Sequence, residues 1–212
     1  MSDYIIKERN ITPNNNLWYL KFLLKKNKKQ IYLNGFSYYV FLFFLCFLFL
    51  TTETRCVLYE PQIWNQDEET CSLNYCYNYA NNIITNSMAQ PGRGSGRPYY
   101  LLDDGTLDHD NVIAVGEASI RDGEVLMPIS ADDGFNMPTD GHIIALFIWP
   151  GFDYHWYRLD SNGRWSHKSG ERRATDRDNA GSLINDPRDC DRGPYTDFIG
   201  FYHCIPENLT IF

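Results

Sequence analysis

The sequence predicts an α+β domain, a short helix packed on an antiparallel sheet and stapled by disulfides. Three observations predict it. Residues 143–168 read as a three-strand meander, residues 76–85 open as a short helix, and five cysteines follow a segment that reads as an export signal.

The meander is the clearest element. Ile143–Trp149 is a continuous apolar run of strand length, stopped by Pro150-Gly151. Tyr154–Asp160 is a second, aromatic-rich strand. Ser161-Asn162-Gly163 forms the next turn, because Asn-Gly accepts the positive φ angles of tight hairpins. Arg164–Lys168 returns as the third strand, and Phe198–Ile205 reads as a last strand pinned by Cys204. If Pro150-Gly151 is a two-residue turn, Trp149 pairs with Phe152 and Leu146 with His155.

Upstream, Cys56–Thr70 is loop-like. The stretch CYNYANNIIT over Cys76–Thr85 opens a helix that its asparagines weaken. Gln90–Pro98, QPGRGSGRP, is a Gly/Pro linker. Tyr99–Leu102 reads as a short strand closed by the Asp103-Asp104-Gly105 turn. Val112–Val115 and Glu124–Ile129 are strand-like, with Arg121-Asp122-Gly123 turning between them. The Asp/Arg/Gly-rich stretch after Ser169 reads as a long loop reaching Asp197. No internal repeat or heptad is visible.

At 212 residues the chain holds one ordinary domain and an appendage. Residues 1–35 form a basic, Asn/Lys-rich leader. Residues 36–55 contain the apolar run VFLFFLCFLFL, Val40–Leu50, preceded by lysines and followed by Thr51 and Thr52. This order describes a secretory signal. The run is shorter than the roughly 20 residues of a spanning helix, and counting Phe36–Tyr39 lengthens it, so a signal anchor is the alternative. Residues 56–212 are then the exported globular domain, touching a membrane only if the signal stays uncleaved. Of 19 basic and 27 acidic residues in the chain, residues 1–55 hold 8 and 3, leaving the domain a net charge of −13. Such a domain repels nucleic-acid phosphates, which excludes that partner class. Cationic or calcium-bearing surfaces attract it.

Cys56, Cys71, Cys76, Cys190 and Cys204 remain once Cys46 leaves with the signal. An oxidising compartment makes pairing the default, and an odd count allows at most two bridges with one thiol over. Cys190 with Cys204, or either with Cys56 or Cys71, are all open pairings. No pair has zinc-site spacing. Asp103, Asp104, Asp108 and Asp110, and then Asp186, Asp189 and Asp191, cluster at turns without the calcium-loop pattern, so any calcium binding is weak and no metal is assigned. No cofactor is expected. Asn208-Leu209-Thr210 is a glycosylation sequon, with Asn208 the acceptor candidate in an exported chain.

Two residue types carry chemistry. Cys76, at the start of the expected helix, would feel the positive end of its dipole and gain thiolate character. The alternative is a half-cystine. His142, in DGHIIAL, leads an apolar strand after a glycine, and His155 lies on the next strand. The order of a cysteine on a helix followed by a histidine on a strand resembles NlpC-type and related papain-like cysteine hydrolases. That resemblance implies Cys76 as nucleophile, His142 as base and His155 as the residue orienting it. The two-residue turn puts His142 and His155 on one face but four residues out of step, about 13 Å at strand rise. His167 on the third strand is the alternative partner. Against this stands the plainer reading, histidines hydrogen-bonded within an aromatic sheet.

A longer resemblance covers about Cys76 to Phe201. The strings CYNYA, AQPGR, GHIIALFIWPGFDYHWYR, WSHK and DRGPYTDF are similar to a small family found in bacteria and aquatic invertebrates. Some animal members are named insoluble matrix shell proteins. The resemblance implies a secreted extracellular matrix protein of a calcified shell, whose partners are mineral or calcified matrix and other matrix proteins. The acidic domain and the 15 tyrosines of the chain suit that setting. A secreted cysteine hydrolase acting on peptide or amide bonds is the competing expectation, and a hydrolase fold reused as matrix would reconcile the two.

Overall fold

The computed structural model describes residues 57–127 and 138–212. The leader, the signal segment, Cys56 and the end of the Glu124–Ile129 segment lie outside them. Among the described residues no helix is long and apolar enough to cross a membrane.

Two short helices, α1 (Pro61–Asn65) and α2 (Glu68–Leu73), occupy the stretch expected to be loop. Each starts for a local reason. Pro61 supplies the fixed φ favoured in a first turn. Asp67 caps α2 by accepting from the Thr70 N–H at 2.7 Å, and Glu68 and Glu69 sit in its first turn. Helix α3 (Cys76–Ala80) follows, shorter than the sequence suggested. Its asparagines explain why. Asn78 binds Ile83 O and Thr85 Oγ1 and accepts from the Tyr75 and Ala89 amides, so it ties down the chain on both sides.

The Val112–Val115 strand expectation is corrected. Val112–Ala114 is a 3-10 turn leading into α4 (Val115–Asp122). β-branched residues suggested a strand, but Val115, Ala118, Ser119 and Asp122 fall on one helical face and are buried there. Gly123, with φ 118°, ends the helix. Tyr99–Leu102 makes only an isolated bridge, Leu101 with Leu107.

The sheet is antiparallel throughout. Its strands are β1 (Val125–Leu126), β2 (His142–Trp149), β3 (Asp153–Leu159), β4 (Trp165–His167) and β5 (Asp197–Cys204), in the order β1-β5-β2-β3-β4. The α+β class and the meander are as expected, and the last strand takes the centre beside β2. The register of the first hairpin differs. Trp149 pairs with Asp153 and Phe147 with His155, so the turn holds three residues, 150–152. A one-residue slip moves side chains to the other face. His142, Ile144, Leu146, Tyr154, Trp156 and Cys204 therefore share the face covered by α3 and α4, whereas Phe147, His155, Tyr157 and Phe201 share the opposite one.

That opposite face is covered by the 169–196 segment, which is ordered. It bridges β4 at Trp165–Ile184 and His167–Thr175, and Ile184 is buried against Trp165. Asp178 accepts the Ser182 and Asp191 amides and Asp186 pairs with Arg188, so the aspartates shape turns.

The disulfide expectation is not met among the described residues, where Cys71, Cys76, Cys190 and Cys204 are all free. The reason is topological for the closing pair. Cys204 is buried on the helical face while Cys190 packs on the other, with the sheet between them.

Gly141 sets where β2 begins. Its φ is 67°, and an added Cβ would lie 2.1 Å from the backbone oxygen of Cys204. Gly141→Ala is therefore expected to destabilise the domain by roughly 2–4 kcal/mol through strain and overpacking. A urea midpoint unchanged from wild type would refute this account of the β2–β5 register.

Candidate functional site

Helix α3 is docked on the sheet by buried polar contacts. Arg158 on β3 donates from Nη1 to Tyr79 O at 3.1 Å and from Nη2 to Tyr79 Oη at 3.0 Å. Its Nε binds Asp160 at 2.8 Å, with both side chains 1% exposed. His142 Nε2 lies 2.6 Å from Ala80 O, and Asn81 Nδ2 donates to Tyr77 O. The carbonyls of Tyr77, Tyr79 and Ala80 at the end of α3 thus each have a side-chain partner.

Cys76 is the first residue of this helix and is buried. Burial, and after it the charge of Asp153, pushes its thiol up to about 12, although the Trp156 and Tyr77 backbone amides act the other way. The thiolate character expected from the helix dipole is not realised, because the helix has five residues and the desolvation is larger. The resting group is a neutral thiol.

The structure does not assemble Cys76, His142 and His155 as one triad. His142 is on the helical face, and its only donor is committed to Ala80 O. Its Nδ1 is buried without a partner, and burial lowers its pKa to about 3. Its hydrogen bond to Ala80 O ties β2 to α3. His155 faces the other way, and its Nε2 lies 2.7 Å from His167 Nδ1. His167 is the alternative partner weighed from the sequence, and the observed registers bring these two together.

The tautomers follow from the chain of acceptors. His167 Nε2 is 3.0 Å from Arg177 O, which can only accept, so this nitrogen carries the proton. His167 Nδ1 then accepts, and His155 Nε2 donates to it. Both rings are held neutral, since burial depresses both pKa values. The lone pair of His155 is left on Nδ1.

Strand β4 ends at His167 and pairs β3 only from Tyr157 to Leu159. The Asp153–Trp156 edge of β3 is uncovered on that side. A cavity of about 340 Å³ opens there and takes side chains from both faces of the sheet, Tyr154 from one and His155 from the other. Cys76, Tyr75, Tyr99 and Tyr195 complete much of its wall. Tyr195 Oη donates to Asp153 at 2.7 Å, and its ring centroid is 5.3 Å from that of His155. Cys76 and His155 thus line one cavity, while His142 does not line it. Arg158 was missed in the sequence, where a lone arginine in an aromatic strand was the only signal. Among the described residues no group of three His, Cys, Asp or Glu side chains is arranged to hold a metal ion.

A comparison with curated proteins gives a direct answer on kinship. Over 152 residues the chain is 47% identical to insoluble matrix shell protein 1 of Ruditapes philippinarum, a match covering 70% of this chain and 90% of the relative. The chain belongs to the insoluble matrix shell protein family. No family model matches it, and no solved structure does. The likeness to NlpC-type hydrolases is therefore carried by neither comparison.

Buried titratable groups give this domain a pH signature with two limbs. His142 is neutral when folded down to about pH 3 but protonates near 6.5 when unfolded, so the unfolded state binds more protons in between. Stability is lost as pH falls through that window. Glu124, buried under Tyr77 and Asp122, is raised to about 8, mainly by burial. Here the folded state holds the extra proton, and stability falls as pH rises from about 4.5 to 8. From these two groups the opposing effects cancel between about pH 4.5 and 6.5, so denaturation midpoints should be highest there and fall on either side. Glu124→Gln should flatten the alkaline limb, and an unchanged limb in that variant would remove Glu124 as its source.

Proposed function

We propose that this chain is a secreted extracellular matrix protein of a calcified shell, with residues 36–55 directing export. The carrying observation is the 47% identity across nearly the whole length of a relative named for insoluble shell matrix. The domain's chemistry supports the reading. Residues 56–212 carry a net charge of −13, and the exposed Asp103–Asp110 turn displays acidic side chains to solvent. Such a surface adsorbs to calcium-bearing mineral by summed electrostatics and needs no dedicated ion site. Its partners are the mineral or calcified matrix and the other proteins embedded there. Asn208 sits exposed in a 3-10 turn, Pro206–Asn208, where a glycan would meet no core packing.

The protein should be recovered from the organic residue of shell after decalcification and detergent washing, identified by peptide mass spectrometry. Its consistent absence from that residue, with recovery only from gut or haemolymph, would end the proposal.

A further inference from the structure

A matrix role leaves one feature unused: a buried thiol at one cavity with His155, whose ring is directed by His167 behind it. We propose that Cys76, His155 and His167 form a nucleophilic acyl-transfer site, with Cys76 attacking the carbonyl of a small ester or carboxamide. This goes beyond the matrix reading and does not depend on it.

Four observations carry it. Cys76 and His155 line the same 340 Å³ cavity, large enough for a small acyl group. The hydrogen-bond chain from His155 through His167 to Arg177 O fixes His155 with its basic nitrogen at Nδ1. A thiol whose base is oriented by a third group is the arrangement nucleophilic catalysis requires. Finally, Cys76 is free of any disulfide, and the backbone amides of Trp156 and Tyr77 lie against its sulfur. Asp153 is the charged side chain on the wall, so the cavity favours a neutral or cationic acyl donor and disfavours an anionic one.

The thiol and the imidazole are both neutral at rest, so the proton moves during the attack. The Cys76 S–H proton passes to His155 Nδ1 as sulfur bonds to the carbonyl carbon, whose π electrons move onto oxygen. His167 Nδ1 stabilises the resulting imidazolium by accepting from Nε2–H. Collapse of the tetrahedral adduct expels the alcohol or amine, which takes the proton back from His155 and leaves a thioester on Cys76. Water, deprotonated by His155, then releases the acid and restores the thiol. In this scheme Cys76 and His155 are catalytic residues and His167 is a positioning residue.

The test uses the full chain purified from a secreting host, with p-nitrophenyl acetate as the acyl donor. Release of p-nitrophenolate should show a burst, and acid-quenched peptide mapping should place the acetyl group on Cys76. His155→Gln should slow acylation about a hundredfold, the usual scale of a lost general base. His167→Asn, which still accepts from His155, should retain most of the rate, while His167→Phe should lose it and shift the pH profile. Circular dichroism would verify that each variant is folded. Acetylation confined to Cys71 or Cys190, or no burst at all, would overturn the proposal from the wild-type protein alone. Equal acylation rates in a folded His155→Gln variant would overturn it as well.

Discussion

The guanidinium of Arg158 is the constraint on which the rest of the fold depends. It is fully buried, pairs with Asp160 just past the end of its own strand, and reaches the carbonyl and hydroxyl of Tyr79 on α3. It also lies 4.1 Å from the centroid of the Tyr79 ring. A charge taken this far from water is tolerable only when its donors are matched, and losing one partner of such a pair commonly costs about 3–5 kcal/mol. The same contacts orient α3 and so determine where Cys76 sits. Tyr79 Oη and Ser166 Oγ, 2.7 Å apart, carry the link on to β4.

From that docking the cavity follows. Because β4 is three residues long, the end of β3 nearest the turn has no strand neighbour on one side. Cys76 is presented at this edge by α3, and His155 is presented by β3 from the opposite face of the sheet. Only at an uncovered edge can residues of both faces line one space. The 169–196 segment closes the other flank, with Arg192 4.6 Å over the Phe147 ring and Tyr195 against His155. A stretch rich in Asp, Arg and Gly is thus part of the wall, ordered by aspartate turns and arginine–aromatic contacts rather than by an apolar core of its own.

Much of this was legible in residues alone. Continuous apolar runs bounded by Pro-Gly and Asn-Gly marked the three strands of the meander, since those patterns report local backbone preference. α1 and α2 were legible too, in Pro61 and in the Asp67–Thr70 cap, but surrounding polar residues hid them. The Val112–Val115 segment misled because β-branched residues favour strands locally, whereas burial of Ala118, Ser119 and Asp122 selects the helix. Disulfides were inferred from compartment and count, which say nothing of whether a sheet stands between two sulfurs.

By itself, the sequence determined the class of fold, the strands of the meander, the acidic character of the domain and, through its identity to a relative, its family. These depend on composition, periodicity and residue identity, all of which are local. Only the tertiary structure decided which histidine meets which. A single extra residue in the 150–152 turn puts His142 and His155 on opposite faces, and the length of β4 gives His155 a partner in His167. Register is a property of paired strands, so no single strand could have announced it.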